Sequence, residues 1–412
     1  MVLFEGGQRR VVLTYIWKFV VWSFVFGTTI TLLGCSSAVE LNDRAFVKMM
    51  LLDKSESGVE VTLSFPLPNR LIPGQVGGAG GQTGKPYAFV TKTGRDIGEA
   101  YRFIQSDLSR RITFGQTTVV VIGNSIAKEG ITPVLEFIAR EPRFHVNATL
   151  FVTPGKVTEL TRVPIVFERF PVDILIAYNK QHVTVQTTVK DCMEASFSGG
   201  DFLAPMLSFQ NQAIPGQTND VQAPWLGTKG AAVFKAGKLV GELDTNEMRG
   251  AMWIQEMLKD SEITVPSSQD GKKVSFMIKN NRTTIKPIVD GNRITFRIRC
   301  KANADLISSE SDLDFDEADQ RSRLESGIAR LIEERISKAI TTTRMAGADP
   351  FHFGQYIDWH YPSKWKKMKR EWRLIYTEQV KFDIHASIII KHLGTEKNPI
   401  HFPIEGQEGG AA

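Results

Sequence analysis

Residues 274–300, VSFMIKNNRTTIKPIVDGNRITFRIRC, contain three runs in which apolar and polar side chains alternate. The runs cover 274–278, 284–289 and 294–298, and a period of two is typical of strands with one buried face. Residues 290–292, DGN, stand between the last two runs, and such a sequence is typical of a hairpin turn. The stretch therefore predicts a three-stranded meander.

Helical patterns lie on both sides of this meander. Residues 316–344 place apolar side chains at spacings of three and four, which predicts the longest helix of the chain. Asp244 and Glu247 have the spacing of a capping box, so a helix is expected to begin there. Downstream, Asp349 followed by a proline predicts a short helix, and the alternation over 380–390 predicts a last strand. This half of the chain therefore mixes strands and helices.

The N-terminal half has the same mixed character. Strands are predicted over 59–65 and 117–122, and helices are predicted after Asp96, as an N-cap, and from Pro133. Residues 198–230 are rich in Gly, Pro, Gln and Asn with little periodicity, so we expect the main domain boundary there.

Composition and charge exclude several classes of protein. The 412 residues are 42% hydrophobic and 23% charged, as in globular domains, and this disfavours a disordered chain or a multi-span membrane protein. The formal net charge is only +5, which is too small to indicate nucleic-acid binding. The three cysteines, Cys35, Cys192 and Cys300, fit no zinc pattern, and Cys300 ends an alternating run as an expected buried strand residue.

The first 35 residues have the pattern of an export signal. Arg9, Arg10 and Lys18 precede an uncharged apolar run over 19–33, which has the length of a secretory h-region. The run ends in Leu-Leu-Gly-Cys, which resembles a lipobox, and we expect cleavage before Cys35 and attachment of a diacylglyceryl group to its thiol. The alternative is an uncleaved signal anchor that spans the membrane over residues 11–34.

These observations divide the chain into five segments, namely a lipoprotein signal peptide over 1–34, an N-terminal domain over 35–198, a linker region over 199–229, a C-terminal domain over 230–395 and a tail over 396–412. The expected fold class is multi-domain α+β with central sheets flanked by helices.

Three short motifs imitate catalytic or binding sites, and each lacks a required residue. Residues 80–85, GGQTGK, are followed by proline where a phosphate-binding loop needs Ser or Thr. Ser125 follows a predicted strand, as a nucleophile would, but Ala127 replaces the second glycine of the nucleophile elbow. Residues 312–323 begin like a calcium loop and lack its glycine and final glutamate. We therefore expect no catalytic, metal or cofactor site, and the chain is not expected to be an enzyme.

Residues 364–373 are the most strongly basic segment. Six Lys and Arg residues are interleaved there with Trp365 and Trp372. The segment is expected to be a solvated helix face with tryptophans in the core, and the alternative is a surface for anionic lipid headgroups or an acidic partner.

Several stretches together resemble the Ger(x)C family, the GerAC-like lipoprotein C subunits of nutrient germinant receptors in endospore-forming bacteria. The similar stretches are residues 40–45 (ELNDRA), 121–130 (VIGNSIAKEG), 230–253 (GAAVFKAGKLVGELDTNEMRGAMW), 348–354 (ADPFHFG) and 361–372 (YPSKWKKMKREW).

The resemblance implies three mixed α and β domains without a recognised catalytic site. It implies two partners, a membrane-embedded A subunit and a transporter-like B subunit, in the spore inner membrane, with this chain lipid-anchored through Cys35 on the outer face. The chain would then be an accessory or scaffolding subunit required for the response to nutrients. The alternative function is a solute-binding lipoprotein that captures a nutrient for a partner permease.

Overall fold

The structure is a computed structural model that describes residues 14–24, 40–67, 85–197, 199–213 and 222–393. Helix α1 covers 14–24 and belongs, with residues up to 45, to a small N-terminal unit. Within the described ranges, no helix is both long enough and apolar enough to span a bilayer. Cys35, most of the predicted signal peptide and the tail from 396 lie outside the described residues.

An eight-stranded mixed sheet organises the first part of the second unit. Its strand order is β10-β9-β8-β7-β6-β2-β3-β4, and a separate two-stranded sheet contains β1 and β5. The strands are β1 Arg44–Phe46, β2 Met49–Ser55, β3 Gly58–Pro66, β4 Tyr87–Gly94, β5 Arg111–Thr113, β6 Val119–Gly123, β7 Thr149–Thr153, β8 Phe202–Ala213, β9 Gln222–Lys235 and β10 Lys238–Leu243.

Five helices accompany this sheet, and the sequence explains several of their boundaries. The helices are α2 Ile97–Ser106, α3 Asn124–Glu129, α4 Thr132–Arg140, α5 Pro171–Lys180 and α6 Val189–Phe197. The Asp96 side chain accepts a hydrogen bond from the Glu99 N–H, as expected of an N-cap. Central strands β2 and β6 are almost continuously buried, as is usual for sheets covered on both faces.

Most of the predicted linker region over 199–229 has regular secondary structure. Most of this stretch forms β8 and the first part of β9, which pair antiparallel. Strand β8 begins with six buried residues, so the stretch lies within the sheet and does not connect two separate cores. Its high content of small and polar residues suppresses the alternation that would have identified the strands. The division into the segments 35–198 and 230–395 stays a prediction.

A second sheet of four strands contains the predicted meander. Its order is β11-β12-β13-β14, with β13 and β14 parallel and the other neighbours antiparallel. The strands are β11 Ser261–Pro266, β12 Lys273–Asp290, β13 Arg293–Ser309 and β14 Lys381–His392. The two runs at 274–278 and 284–289 are one long strand, β12, where two strands were expected.

A β-bulge explains why β12 reads as two runs. Ile278 and Ile285 both face the core although they are an odd number of positions apart. The register shifts between Lys279 and Arg282, and Asn280 has a φ of 53°. One extra residue in the strand restores the apolar side chains to the same face.

Helices α7 and α8 pack with the second sheet. The helices of this part are α7 Thr245–Ile254, α8 Ala318–Met345, α9 Phe353–His360, α10 Pro362–Met368 and α11 Trp372–Glu378. The capping box of Asp244 and Glu247 is present at the start of α7. Helix α8 begins two residues later than predicted, and α9 begins at Phe353 because residues 349–352 form its lead-in turn.

One hydrophobic core is shared by the two large sheets. It includes Leu203 and Val233 of the first sheet, Phe276 and Phe296 of the second, and Ile332 of α8, all essentially inaccessible to solvent. The opposite face of the first sheet has its own core against α5. The predicted multi-domain α+β class, with sheets flanked by helices, is confirmed by this architecture.

Candidate functional site

Asp349 is the centre of a buried polar network. Its carboxylate accepts hydrogen bonds from the backbone N–H groups of Phe353 at 3.0 Å and Gly354 at 3.1 Å, and from the indole Nε1–H of Trp372 at 2.9 Å. Burial raises the pKa of Asp349 above its ordinary value, and these three donors act in the opposite direction. The three donors orient α9 and fix Trp372 against the start of that helix.

A second carboxylate, Asp201, links this network to the first sheet. Asp201 is also buried and accepts hydrogen bonds from the backbone N–H of Asp349 at 2.9 Å and of Ala236 at 3.1 Å. It forms an ion pair with Arg373 at 2.7 Å. Arg373 also donates to the carbonyl oxygens of Gly347 and Gly199. One carboxylate and one guanidinium therefore connect four segments that are distant in sequence.

Gly354 allows two tryptophans to pack over the turn. A Cβ added at Gly354 would lie 2.6 Å from the Trp365 ring and 2.9 Å from Trp372 Nε1. The two rings contact each other edge to face, with centroids 5.4 Å apart. Only glycine therefore fits this position, and the packing unites residues 348–354 with residues 361–372.

The basic segment divides into half-buried cations with defined partners and exposed cations. Lys364 donates to the carbonyl oxygen of Val289 at 2.8 Å, and Arg373 belongs to the network. Trp372 is buried and Trp365 is half-buried, as expected for tryptophans in the core. The remaining cations are exposed and are Lys366, Lys367, Lys369 and Arg370.

The turn after β6 is built around another buried acid, Asp53. Its carboxylate accepts hydrogen bonds from the backbone N–H groups of Lys54 at 2.8 Å and Val157 at 3.1 Å. A Cβ on Gly123 would lie 2.5 Å from Asp53 Oδ1, so glycine is required there. Ser125 is exposed, and within the described ranges its hydroxyl has no hydrogen bond to an acid or a histidine. The motif at 121–130 therefore stabilises the turn after β6.

The remaining candidates were a metal site and the cysteines. Among the described residues, no three His, Cys, Asp or Glu side chains are arranged to hold a metal ion. Burial raises the pKa of the Cys300 thiol to about 11 and raises that of Cys192 further, so both stay protonated at neutral pH. Cys300 lies buried in β13, as predicted. Cys35 and residues 80–84 lie outside the described residues.

An open cavity of about 540 Å³ lies at one end of the second sheet. Its lining includes Thr264 of β11, Lys273 of β12 and Ser308 of β13.

Sequence reasoning placed Trp372 in the core and expected Asp349 near a helix start, but it did not find the network. Asp201 and Arg373 are 172 positions apart, and no local pattern indicates such a pair. The sequence signal that pointed to these residues was the resemblance to the Ger(x)C family, because its motifs at 348–354 and 361–372 supply most of the interacting groups.

Comparisons with known proteins agree with this arrangement. Residues 37–209 match the family model of the spore germination protein N-terminal domain, and residues 229–394 match that of the spore germination B3/GerAC-like C-terminal domain. The putative spore germination protein YfkR of Bacillus subtilis (strain 168) is 24% identical over 366 residues, which are 88% of this chain and 92% of that protein.

Spore germination protein KC of the same organism is 24% identical over 390 residues, or 90% of this chain and 95% of that protein. The crystal structure of the GerBC protein covers 83% of this chain and 96% of its own, with a TM-score of 0.54 and 17% identity, and shows the same fold. The chain therefore belongs to the GerAC-like family of spore germination proteins.

Proposed function

We propose that the chain is the lipid-anchored C subunit of a nutrient germinant receptor, where it acts as an accessory or scaffolding subunit beside an A subunit and a B subunit. The proposal is supported by the structural role of the motifs at 348–354 and 361–372. Asp349, Gly354 and Trp372 hold segments of the chain together through buried hydrogen bonds and ring packing. Motif residues that hold distant segments together support a scaffolding role.

The germination response tests this function. Spores that lack the gene should germinate slowly or not at all with at least one nutrient, and the gene supplied in trans should restore the response. The A and B subunits should co-purify with the tagged chain from spore inner membranes. Normal germination with every nutrient would contradict the proposal.

The proposed anchor is a diacylglyceryl group on Cys35, on the outer face of the inner membrane. Its support is the sequence Leu-Leu-Gly-Cys at the end of an apolar run. Cells fed a radioactive or clickable fatty acid should label the wild-type chain and should not label Cys35→Ala. A Cys192→Ala variant is the matched control, since that thiol is buried. Label retained on Cys35→Ala would contradict the anchor.

The alternative, a solute-binding lipoprotein, has a separate test. Calorimetric titration with candidate nutrients would detect micromolar binding by such a module. A ligand that bound and lost affinity with Lys273→Ala, in the open cavity, would favour it over the scaffold.

A further inference from the structure

The outward side of the second sheet carries an unusual concentration of positive charge. The three paired segments 282–288, 295–301 and 381–387 turn their alternate residues toward the core, and Ile285, Ile298 and Ala386 are buried there. The residues between them face outward. Their cations are Arg282, Lys286, Arg297, Arg299, Lys301 and Lys381, and their carboxylate is Asp383. We call this surface the cationic face.

The cationic face lies open to solvent. Arg282, Lys286, Arg297 and Lys301 are exposed, and so is Ile288 between them. Asp383 pairs with Arg297 at 3.2 Å and with Arg299 at 2.7 Å. Among the residues that the structure describes, Arg282, Lys286 and Lys301 have no carboxylate partner.

The register of the strands places like charges directly opposite each other. Arg282 is the cross-strand partner of Lys301, and Lys286 is the partner of Arg297. Like charges at opposed positions destabilise a sheet, whereas opposed charges stabilise it. Repulsion at these two neighbouring pairs therefore lowers the stability of the sheet. A negatively charged partner would offset that repulsion.

The shape of the face indicates what kind of partner fits. The three segments form a surface of roughly 20 Å by 10 Å. Its outward residues include the small Thr284 and Ser387, and Ile288 adds an exposed apolar side chain among the cations. A broad surface of negative charge above an apolar layer, such as an anionic bilayer, matches these features.

We propose that the cationic face docks on the headgroups of an anionic phospholipid bilayer. The proposal rests on the proposed anchoring of the chain at a membrane, and it adds the surface that the folded part turns toward the lipid. Each Lys or Arg near such a surface strengthens binding about fivefold, so three of them together contribute about a hundredfold. Salt should weaken the docking, because exposed charges are screened.

Quenching of a fluorescent label on the full chain tests the docking. The label is attached at Ser387→Cys on the cationic face or, as control, at Ser326→Cys on the solvent side of α8. Cys192 and Cys300 are buried, and the parent chain gives the background labelling. The chain is reconstituted with vesicles that carry a headgroup quencher, made either of phosphatidylcholine with phosphatidylglycerol or of phosphatidylcholine alone.

We expect quenching at position 387 only with phosphatidylglycerol, and quenching at position 326 with neither lipid mixture. The triple variant Arg282→Gln, Lys286→Gln and Lys301→Gln should lower the equilibrium constant of docking about a hundredfold. The matched triple Lys366→Gln, Lys367→Gln and Lys369→Gln makes the same change of charge elsewhere and should keep the quenching. The first triple should also melt no lower than the parent, because it removes two like-charge pairs.

Several outcomes would overturn the docking. These are equal quenching at both positions, an equal loss in both triple variants, or quenching at position 387 that survives the first triple. If the label at position 387 became protected from solvent only after the A and B subunits were added, the face would be assigned to an acidic protein partner. Vesicle flotation reports the anchor separately, so a chain that floats without quenching contradicts the docking and leaves the proposed anchor intact.

Discussion

Three hydrogen-bond donors converge on the buried carboxylate of Asp349, and this residue offers the sharpest test of the network. Asp349→Ala would leave the N–H groups of Phe353 and Gly354 and the indole of Trp372 without their acceptor. We expect the free energy of unfolding to fall by about 3–5 kcal/mol, since removing one partner strands the others in the core.

Urea denaturation followed by tryptophan fluorescence measures this loss. Asp358→Ala is the matched control, because Asp358 lies exposed on α9 and its removal should change the free energy of unfolding by less than about 0.5 kcal/mol. Equal stability of the two variants would show that the network contributes little to folding.

Arg373 and Arg370 separate the structural cations of the basic segment from the exposed ones. Arg373→Gln removes the partner of the buried Asp201, so we expect a loss of about 1–3 kcal/mol. Arg370→Gln changes an exposed residue three positions away and should leave the stability unchanged. Thermal denaturation of the two variants at the same pH and salt concentration measures this difference in stability. An equal shift of Tm in both variants would contradict the prediction.

At the scale of elements, the contact between α7 and α8 depends on one glycine. A Cβ at Gly250 would lie 2.1 Å from the backbone oxygen of Arg335, which cannot move without displacing α8. Gly250→Ala should therefore destabilise the protein by about 1–3 kcal/mol or more. In α8 itself, a Cβ at Gly327 meets nothing within 4 Å, so Gly327→Ala should stabilise by about 0.5–1 kcal/mol. Opposite signs in chemical denaturation are the expected result.

The same scale shows how far the sequence allowed the fold to be predicted. Local signals identified the caps at Asp96 and Asp244, the long helix and the hairpin at 290–292, because capping and periodicity depend on neighbours in sequence. They did not identify β8, whose buried residues do not alternate.

No sequence pattern indicated that α8 protects the edge strand β14. Glu333 accepts a hydrogen bond from the Ala386 N–H, and Glu325 accepts one from the Ile390 N–H. Both glutamates belong to α8, and the sequence alone would place them among ordinary solvated residues of a helix. Their function in covering a sheet edge follows only from the packing of α8 against β14.

At the scale of the whole molecule, the division suggested by the family domains does not coincide with a division of the fold. The N-terminal family model ends at residue 209 and the C-terminal model begins at residue 229, whereas β8 and β9 pair across that boundary. The core also joins residues of both large sheets. We therefore expect one cooperative unfolding transition for both sheets, because neither can expose its share of the core alone.

Calorimetry and a pair of truncated chains test this cooperativity. Residues 36–217 and residues 218–412, which separate β8 from β9, should each fail to give a sharp thermal transition. Together in one solution they should recover it, as the separated strands β8 and β9 pair again. Two independent transitions in the intact chain would contradict a shared core.

The ion pair between Asp201 and Arg373 has a consequence for biosynthesis. The ribosome completes Asp201 long before it reaches Arg373, 172 residues later. Until then the first sheet contains an acid that lacks its guanidinium partner. The nascent chain therefore cannot close the contact between the first sheet and Arg373 until nearly the whole polypeptide has been synthesised.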